Sequence, residues 1–180
     1  MSKLFVISGS SGVGKGTVIK QFLKRNPEYK LSVSCTTRNP RDGEVHGENY
    51  FFLTREEFET CISEEKFLEW AEFSGNLYGT QRAYIEEKLA QGKKLILEID
   101  TKGALNVKKL MPESTLIFIL PPSFEELEAR LRGRHTESEE AIQRRLASTK
   151  LEMENSKLFD YQVINDSIEN AVLKLEEIMN

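Results

Sequence analysis

The chain alternates short apolar runs with stretches in which apolar residues recur at helical spacing. Buried strands are predicted from four such runs, at residues 4–7, 95–100, 115–120 and 162–165. Amphipathic helices are predicted over residues 14–25 and, at the end of the chain, over residues 168–178. Strands that alternate with helices form βαβ units, in which helices cover both faces of a sheet. The pattern therefore predicts an α/β fold with a parallel sheet.

Residues 31–80 depart from this alternation. A strand is predicted over residues 31–35, with the main sheet as its candidate location, and aromatic-rich segments follow at 49–53 and 67–73. We interpret this stretch as a small mixed lobe inserted into the parallel core. Trp70 and Phe73 are expected to pack inside that lobe.

Two helix starts are marked by capping boxes. Thr54 is followed three residues later by Glu57, which predicts a short helix over residues 55–63. Ser123 and Glu126 have the same spacing, and they follow a strand that Pro121 and Pro122 stop.

Composition narrows the class of protein. The 180 residues are 39% hydrophobic and 30% charged, which is typical of one globular domain with a core. The net charge of −4 argues against a general nucleic-acid binder. No apolar run approaches the ~18 residues of a membrane span, and the N-terminus does not read as a signal peptide. Cys35 and Cys61 are expected as free thiols, and the chain as cytoplasmic.

Residues 9–17 read GSSGVGKGT, in which Gly9, Gly14 and Lys15 match the G-x-x-x-x-G-K core of a phosphate-binding loop. Small residues let backbone N–H groups point at a phosphate, and the following helix adds the positive end of its dipole. The alternative is a flexible glycine turn, which the strand before and the helix after disfavour. The residues expected to bind a nucleoside triphosphate are Gly9, Ser10, Ser11, Gly12, Val13, Gly14, Lys15, Gly16 and Thr17.

The motif departs from its full form at one position. Ser or Thr, a Mg²⁺ ligand, usually follows the lysine, but here Gly16 does and Thr17 comes next. We therefore expect nucleotide oxygens and waters to hold Mg²⁺, with Thr17 near a phosphate, and we assign no protein metal ligand.

A second anion site is indicated further along. Arg38 and Arg41 lie three residues apart in a predicted turn, and two guanidinium groups suit a dianionic phosphate. Tyr50 and Tyr78 could add hydroxyl donors. A solvated basic loop is the alternative interpretation of this segment.

At this point the chain resembles the guanylate kinases, which phosphorylate GMP with ATP, over nearly all of its length. The segments that carry the resemblance are GSSGVGKGT, SCTTRNPRDGEVHGENYFF, FLEWAEFSGNLYGT, LEIDTKGA, RLRGRHTESEEAIQRRL and VIND. The family implies a P-loop core, a GMP-binding lobe and a short helical lid over ATP. The expected bounds are about 1–33, 81–125 and 150–180 for the core, 34–80 for the lobe and 126–149 for the lid.

The resemblance also implies roles for individual residues. The GMP phosphate binders are Arg38, Arg41, Tyr50 and Tyr78, and the guanine readers are Ser34, Glu69 and Thr80. Asp100, with Glu98 nearby, resembles the acidic pair beside the P-loop, and Asn165 belongs to the ATP site. The lid arginines are Arg130, Arg134 and Arg145, which with Lys15 and Arg38 form the expected catalytic set.

The chemistry of the residues supports these roles. Guanine presents adjacent N1–H and N2–H₂ donors, which one carboxylate can accept together, so Glu69 suits guanine and leaves adenine mismatched. The alternative interpretation of Glu69 is a solvated charge in an acidic stretch. Five of the ten arginines lie between Arg130 and Arg145, where phosphoryl transfer would need positive charge. A salt-bridged helix face is the reading we favour for Arg132 and Arg144.

The expected reaction is ATP + GMP ⇌ ADP + GDP with Mg²⁺, and dGMP should react too because no residue is dedicated to the 2′-hydroxyl. ATP and GMP are the expected partners, without nucleic acid or membrane. One alternative is an inactive guanylate-kinase-like scaffold that binds phosphopeptides, and another is a kinase for a different nucleotide or sugar phosphate. Two departures from the family are His135, where Gly is usual, and Lys102, where Gln is usual.

Overall fold

A computed structural model of the chain describes residues 3–10, 12–133 and 138–180, without the side chains of Leu127, Arg130, Leu131 and Arg145. The main sheet has five parallel strands. In spatial order they are β2 (Tyr29–Leu31), β7 (Lys94–Glu98), β1 (Lys3–Gly9), β8 (Thr115–Leu120) and β9 (Tyr161–Ile164). The predicted α/β fold with a parallel sheet is confirmed.

Helices cover both faces of this sheet because alternate strand residues point to opposite sides. Phe5 and Ile7 of β1 pack with α1 (Lys15–Arg25) and α7 (Ile168–Met179). Leu4 and Val6 pack with α3 (Arg82–Ala90) and α4 (Thr101–Leu110). The central strand is therefore buried on both faces, and its continuous apolar run follows from that position.

A second, mixed sheet is formed within residues 34–81. Its strands, in spatial order, are β4 (Tyr50–Phe52), β3 (Ser34–Thr36), β6 (Asn76–Gln81) and β5 (Phe67–Phe73). β3 pairs with β4 in parallel and with β6 antiparallel. Helix α2 (Arg55–Ser63) buries Phe58 against Cys35, Phe67 and Leu77, which form the small core of this sheet.

The prediction of one continuous strand over residues 31–35 is wrong. The segment is divided between the two sheets, because Ser32 N makes the last bond to the main sheet, to Ile96 O at 2.8 Å. After that bond the chain turns, and Cys35 enters the core of the second sheet.

The expectation that Trp70 and Phe73 fill this core is also wrong. Their exposed fractions are 47% and 72%. Phe58 and Phe67 already fill the space, with ring centroids 4.4 Å apart. The last part of β5 therefore carries its aromatic residues on the surface.

The remaining helices follow the predicted capping signals. Thr54 Oγ1 accepts from Glu57 N at 3.1 Å and Glu57 Oε2 accepts from Thr54 N at 2.7 Å, a complete capping box. Ser123 accepts from Glu126 N at 3.0 Å at the start of α5 (Phe124–Arg132). Helix α6 (Glu139–Asn155) follows, then a 3-10 turn (Ser156–Leu158). Among the helices described, none has the length and apolar character needed to cross a membrane.

We predict that Tyr29→Phe destabilises the fold without affecting the site. The buried Tyr29 hydroxyl donates to Met179 O at 2.6 Å, and its loss leaves that buried carbonyl without this donor. The free energy of unfolding, measured by urea denaturation, should fall by about 1–2 kcal/mol. Tyr161→Phe, at an exposed tyrosine, is the control and should change it by less than about 0.5 kcal/mol. Equal stability of the two variants would contradict the assigned role of this hydrogen bond.

Candidate active site

A cleft of about 640 Å³ lies between the carboxyl edge of the main sheet and the second sheet. The main-sheet side and its loops contribute Gly9, Lys15, Glu98 and Asp100, and the second sheet contributes Ser34, Tyr50, Glu69 and Tyr78. Eight residues that the sequence analysis singled out thus line one cavity. Glu152, from α6, lines it as well and was missed from the sequence.

The loop between β1 and α1 has the geometry of a phosphate-binding loop. A Cβ at Gly9 would lie 2.7 Å from Ile119 O, so only glycine fits where β1 passes β8. Gly14, the N-cap of α1, has φ 87°, in the left-handed region that favours glycine. The backbone N–H groups of the first helical turn have no partner within the helix, and they carry the positive end of the dipole. The loop can therefore bind an anion through its backbone.

Lys15 is the cation of this loop. It lies half-buried in the cleft, and burial lowers its pKa, while the carboxylates of Glu98, Glu152 and Asp100 act in the opposite direction. The lysine therefore faces three acidic groups across the space that a phosphate would occupy.

A smaller cavity of about 260 Å³ adjoins the loop on its other side. Gly12, Val13, Gly14 and Thr17 line it together with residues 165–168. Asn165 Nδ2 donates to Val13 O at 2.8 Å. This hydrogen bond fixes the turn between β9 and α7 to the phosphate loop. Thr17 and Asn165 thus both line a cavity beside the loop, and their assignment to the ATP site stays a prediction.

Arg38 is held at the edge of the cleft by an acid that the sequence analysis missed. Glu44 accepts two bonds from its guanidinium, Nη1–Oε2 at 3.0 Å and Nη2–Oε1 at 2.9 Å, and one from Arg41 N at 2.7 Å. These bonds raise the pKa of Arg38 and lower that of Glu44. The spacing of an acid three residues after the second arginine of a turn could have indicated this pair.

The same arginine lies beside the two predicted tyrosines. The Arg38 guanidinium carbon is 5.4 Å from the centre of the Tyr50 ring, which is 6.1 Å from that of Tyr78. Arg41 is exposed in the same turn, and of the four predicted phosphate binders only Tyr50 and Tyr78 line the cleft itself. The structure therefore groups Arg38 with the two tyrosines at the edge of the cleft, and Arg41 stays exposed in the turn beside them.

Glu69 is a buried carboxylate on β5. Thr80 Oγ1, on the neighbouring strand β6, donates to Glu69 Oε1 at 2.6 Å. Desolvation by burial raises the pKa of Glu69 to about 7, with a smaller contribution from Asp100, while the Thr80 hydrogen bond acts to lower it. The alternative interpretation of Glu69 as a solvated charge is wrong, because the exposed fraction of this residue is 8%.

A β-bulge gives Glu69 this position. The register shifts between Phe67, opposite Gln81, and Glu69, opposite Thr80. Phe67 packs in the core of the second sheet, whereas Leu68 packs in the core of the main sheet. The extra residue breaks the alternation of β5 and turns Glu69 into the cleft.

Asp100 ends the turn after β7 and caps helix α4. Its Oδ1 accepts from Gly103 N at 2.6 Å. It lines the cleft together with Glu98, two residues earlier, and Ser34 lies on the opposite side. The acidic pair and this predicted guanine reader therefore face the same space.

Several predicted residues belong to parts of the chain that are not described. Ser11 and Arg134 lie outside the described residues, as do the side chains of Arg130 and Arg145, so the roles of these four stay predictions. His135 also falls outside them.

The salt bridges predicted for Arg132 and Arg144 are confirmed. Arg132 Nη2 bonds Glu128 at 2.8 Å and Glu139 at 2.9 Å. Arg144 lies 3.8 Å from Glu140.

Known proteins are similar in sequence to this chain over nearly its whole length. The family model described as guanylate kinase matches residues 1–180. The guanylate kinase of Synechocystis sp. is 52% identical over 98% of this chain and 93% of its own length. That of Prochlorococcus marinus is 53% identical over 98% of this chain and 96% of its own.

A comparison with solved structures gives the same family as the sequence relatives. The crystal structure of guanylate kinase from Anaplasma phagocytophilum is 32% identical, with a TM-score of 0.74, over 98% of this chain and 84% of that one. A shikimate kinase from Bacteroides thetaiotaomicron, 13% identical with a TM-score of 0.52, shares the fold alone. On the family match and these identities, the chain belongs to the guanylate kinase family.

Proposed function

We propose that the cleft between the two sheets is where this chain, as an ATP:GMP phosphotransferase, brings its two substrates together. ATP occupies the phosphate loop, GMP occupies the side formed by the second sheet, and the γ-phosphoryl group passes between them to give ADP and GDP. The observation that carries this proposal is that Glu69, a buried carboxylate, faces the same cavity as Lys15 of the phosphate loop.

Guanine is read by the carboxylate of Glu69. Its two oxygens accept the N1–H and N2–H₂ donors together, and the bond from Thr80 fixes the plane of the group. Adenine would place an acceptor against this carboxylate, and a buried polar mismatch can cost a wrong substrate about 10⁴-fold. Ser34 and Asp100 border the same space and complete the guanine site.

The phosphate of GMP lies against Arg38, Tyr50 and Tyr78, with Arg41 reaching in from the rim. Glu44 keeps the Arg38 guanidinium in one orientation before the substrate arrives, which reduces the entropy lost on binding. The acceptor is already an oxyanion, so the transfer needs no strong general base.

Catalysis is then a matter of alignment and charge. ATP and GMP repel each other, and Lys15, the loop amides and the arginines offset that repulsion while holding donor and acceptor in line. We assign Arg130, Arg134 and Arg145 to the transferring phosphoryl group. We propose residues 34–80 as the GMP lobe and 126–149 as a lid whose closure excludes water and limits hydrolysis of ATP.

Mg²⁺ accompanies ATP in this proposal. The Glu98 Oε1 atom lies 3.7 Å from where a Cβ of residue 16 would be, near the position at which the full motif carries its hydroxyl ligand. A carboxylate oxygen suits Mg²⁺, so the residues fit the ion, and Glu98, to which the sequence analysis assigned no metal role, is the side chain that would hold it. When bound, the ion neutralises phosphate charge. Nowhere in the described ranges do three or more His, Cys, Asp or Glu side chains gather in an arrangement that could hold a metal.

Cys35 and Cys61 are both free, which supports placing the chain in the reducing cytoplasm. The family match and the phosphate loop with its lysine favour the kinase over the phosphopeptide-binding scaffold. Glu69, Ser34 and Thr80 favour GMP over another nucleotide or a sugar phosphate.

Acceptor specificity tests the function directly. ADP production from ATP–Mg²⁺ should occur with GMP and dGMP and be absent with AMP, CMP and UMP. Turnover with another acceptor would remove Glu69 as the selector, and failure with dGMP alone would show that the 2′-hydroxyl is read. Binding of GMP without turnover would favour the scaffold.

We predict that Lys15→Ala lowers the turnover rate sharply and leaves GMP binding intact. The lysine belongs to the phosphate loop, and loss of one electrostatic contact to the transferring group costs about 10²–10³-fold in kcat. Lys20→Ala, on the exposed face of the same helix, is the matched control. Calorimetric titration with GMP should give similar affinities for both variants. A Lys15→Ala enzyme with normal kcat would contradict the assignment.

We predict that GMP use depends on the protonation of Glu69. With a pKa near 7, the carboxyl group loses its proton as pH rises from 6 to 8, and only the ionised form accepts both guanine donors. The kcat/KM for GMP should therefore rise with pH over this range. Glu69→Gln should lower it by about 10²-fold or more and remove the pH step, while ATP binding is unchanged. Wild-type GMP kinetics in this variant would overturn the guanine-reader assignment.

A further inference from the structure

Gly103 is the third residue of α4, directly under the guanine side of the cleft. It is buried in the first helical turn, and its φ lies outside the left-handed region, so its backbone conformation does not require glycine. Glycine is less favourable than alanine within a helix, because it loses more conformational freedom. The reason for a glycine here lies in the space around it.

That space holds the end of the Glu69 side chain. A Cβ at residue 103 would lie 2.9 Å from Glu69 Oε2, 3.3 Å from Glu69 Cγ and 3.2 Å from Asp100 Oδ1. Ordinary contacts of a methyl carbon begin at about 3.4 Å, so a methyl group here would require Glu69 Oε2 to move. Asp100 cannot withdraw, because the same oxygen accepts the capping bond from Gly103 N at 2.6 Å.

The carboxylate of Glu69 is thus confined from two sides. Thr80 holds Oε1 at 2.6 Å from the β6 side, and the bare Cα of Gly103 faces Oε2 from the α4 side. The first turn of α4 also carries a partial positive charge, which offsets part of the cost of burying Glu69 beside Asp100. A methyl group at residue 103 would push Oε2 away and rotate the carboxylate about its bond to Thr80.

We propose that Gly103 is a positioning residue for guanine recognition, since its missing side chain is the space that fixes the Glu69 carboxylate. This inference rests on the proposed function of Glu69 as guanine reader. Gly103 itself acts through Glu69, and it has no part on the ATP side of the cleft.

The first test compares Gly103→Ala with Asn106→Ala, a control one turn further along α4. In Gly103→Ala the KM for GMP should rise and kcat/KM for GMP should fall by about tenfold or more, with the KM for ATP within about twofold of wild type. Asn106→Ala should retain wild-type values for both substrates. A Gly103→Ala enzyme with wild-type GMP kinetics would overturn the inference.

The second test is a double-mutant cycle with Glu69→Ala, which separates positioning from folding. In that background Gly103→Ala should cost less than about twofold further, because no carboxylate remains to be displaced. The same loss as in wild type would show that Gly103 acts through the fold and would overturn the inference. Melting curves of Gly103→Ala in the wild-type and Glu69→Ala backgrounds extend the test. Folding only when Glu69→Ala is also present supports the inference. An unfolded chain in both backgrounds overturns it.

The cycle also distinguishes this inference from the proposed function. If Glu69→Ala alone leaves GMP use unchanged, the guanine-reader assignment fails, and the inference fails with it. If Glu69→Ala impairs GMP use and Gly103→Ala does not, the reader stands and only the role of Gly103 is overturned.

Discussion

The parallel pairing of β1 with β7 on one side and β8 on the other is the constraint on which the whole site depends. Ile7 pairs with Glu98, so β1 and β7 end at the same edge of the sheet. β1 leads into the phosphate loop and β7 into the acidic turn that ends at Asp100. The close pass of Gly9 over Ile119 fixes the direction of that loop. The lysine and the carboxylates therefore meet because their strands end together.

The second sheet is joined to this edge through β5, whose bulge sends consecutive side chains to different places. Phe67 fills the core of the second sheet, Leu68 enters the core of the main sheet, and Glu69 enters the cleft. Burying an apolar side chain the size of Leu68 contributes about 1.5–3 kcal/mol, which helps to hold the base of the guanine site against α4. The position of Glu69 is thus a consequence of packing on both sides of it.

Charge in the cleft is arranged for substrates that carry the opposite sign or the complementary donors. Burial lowers the pKa of Lys15 and raises that of Glu69, so each group is held at a cost that a bound partner would relieve. The charge of Arg38 is already paired, because Glu44 neutralises it at the edge of the cleft. A phosphate arriving there binds beside an arginine that already has an anionic partner, whereas guanine supplies hydrogen bonds that Glu69 otherwise lacks.

Local patterns determined the elements of this protein: the parallel strands, the caps at Thr54 and Ser123, and the glycine loop ahead of Lys15 all follow from residues close together in the chain. Tertiary structure alone decided the division of residues 31–35 between two sheets, the exposure of Trp70 and Phe73, and the bulge before Glu69. It also decided that Gly103 lies against Glu69, although nothing in either segment indicates the other. The physical reason is that these outcomes depend on which distant segments fill a shared space, and periodicity and spacing carry information only about neighbours in the chain.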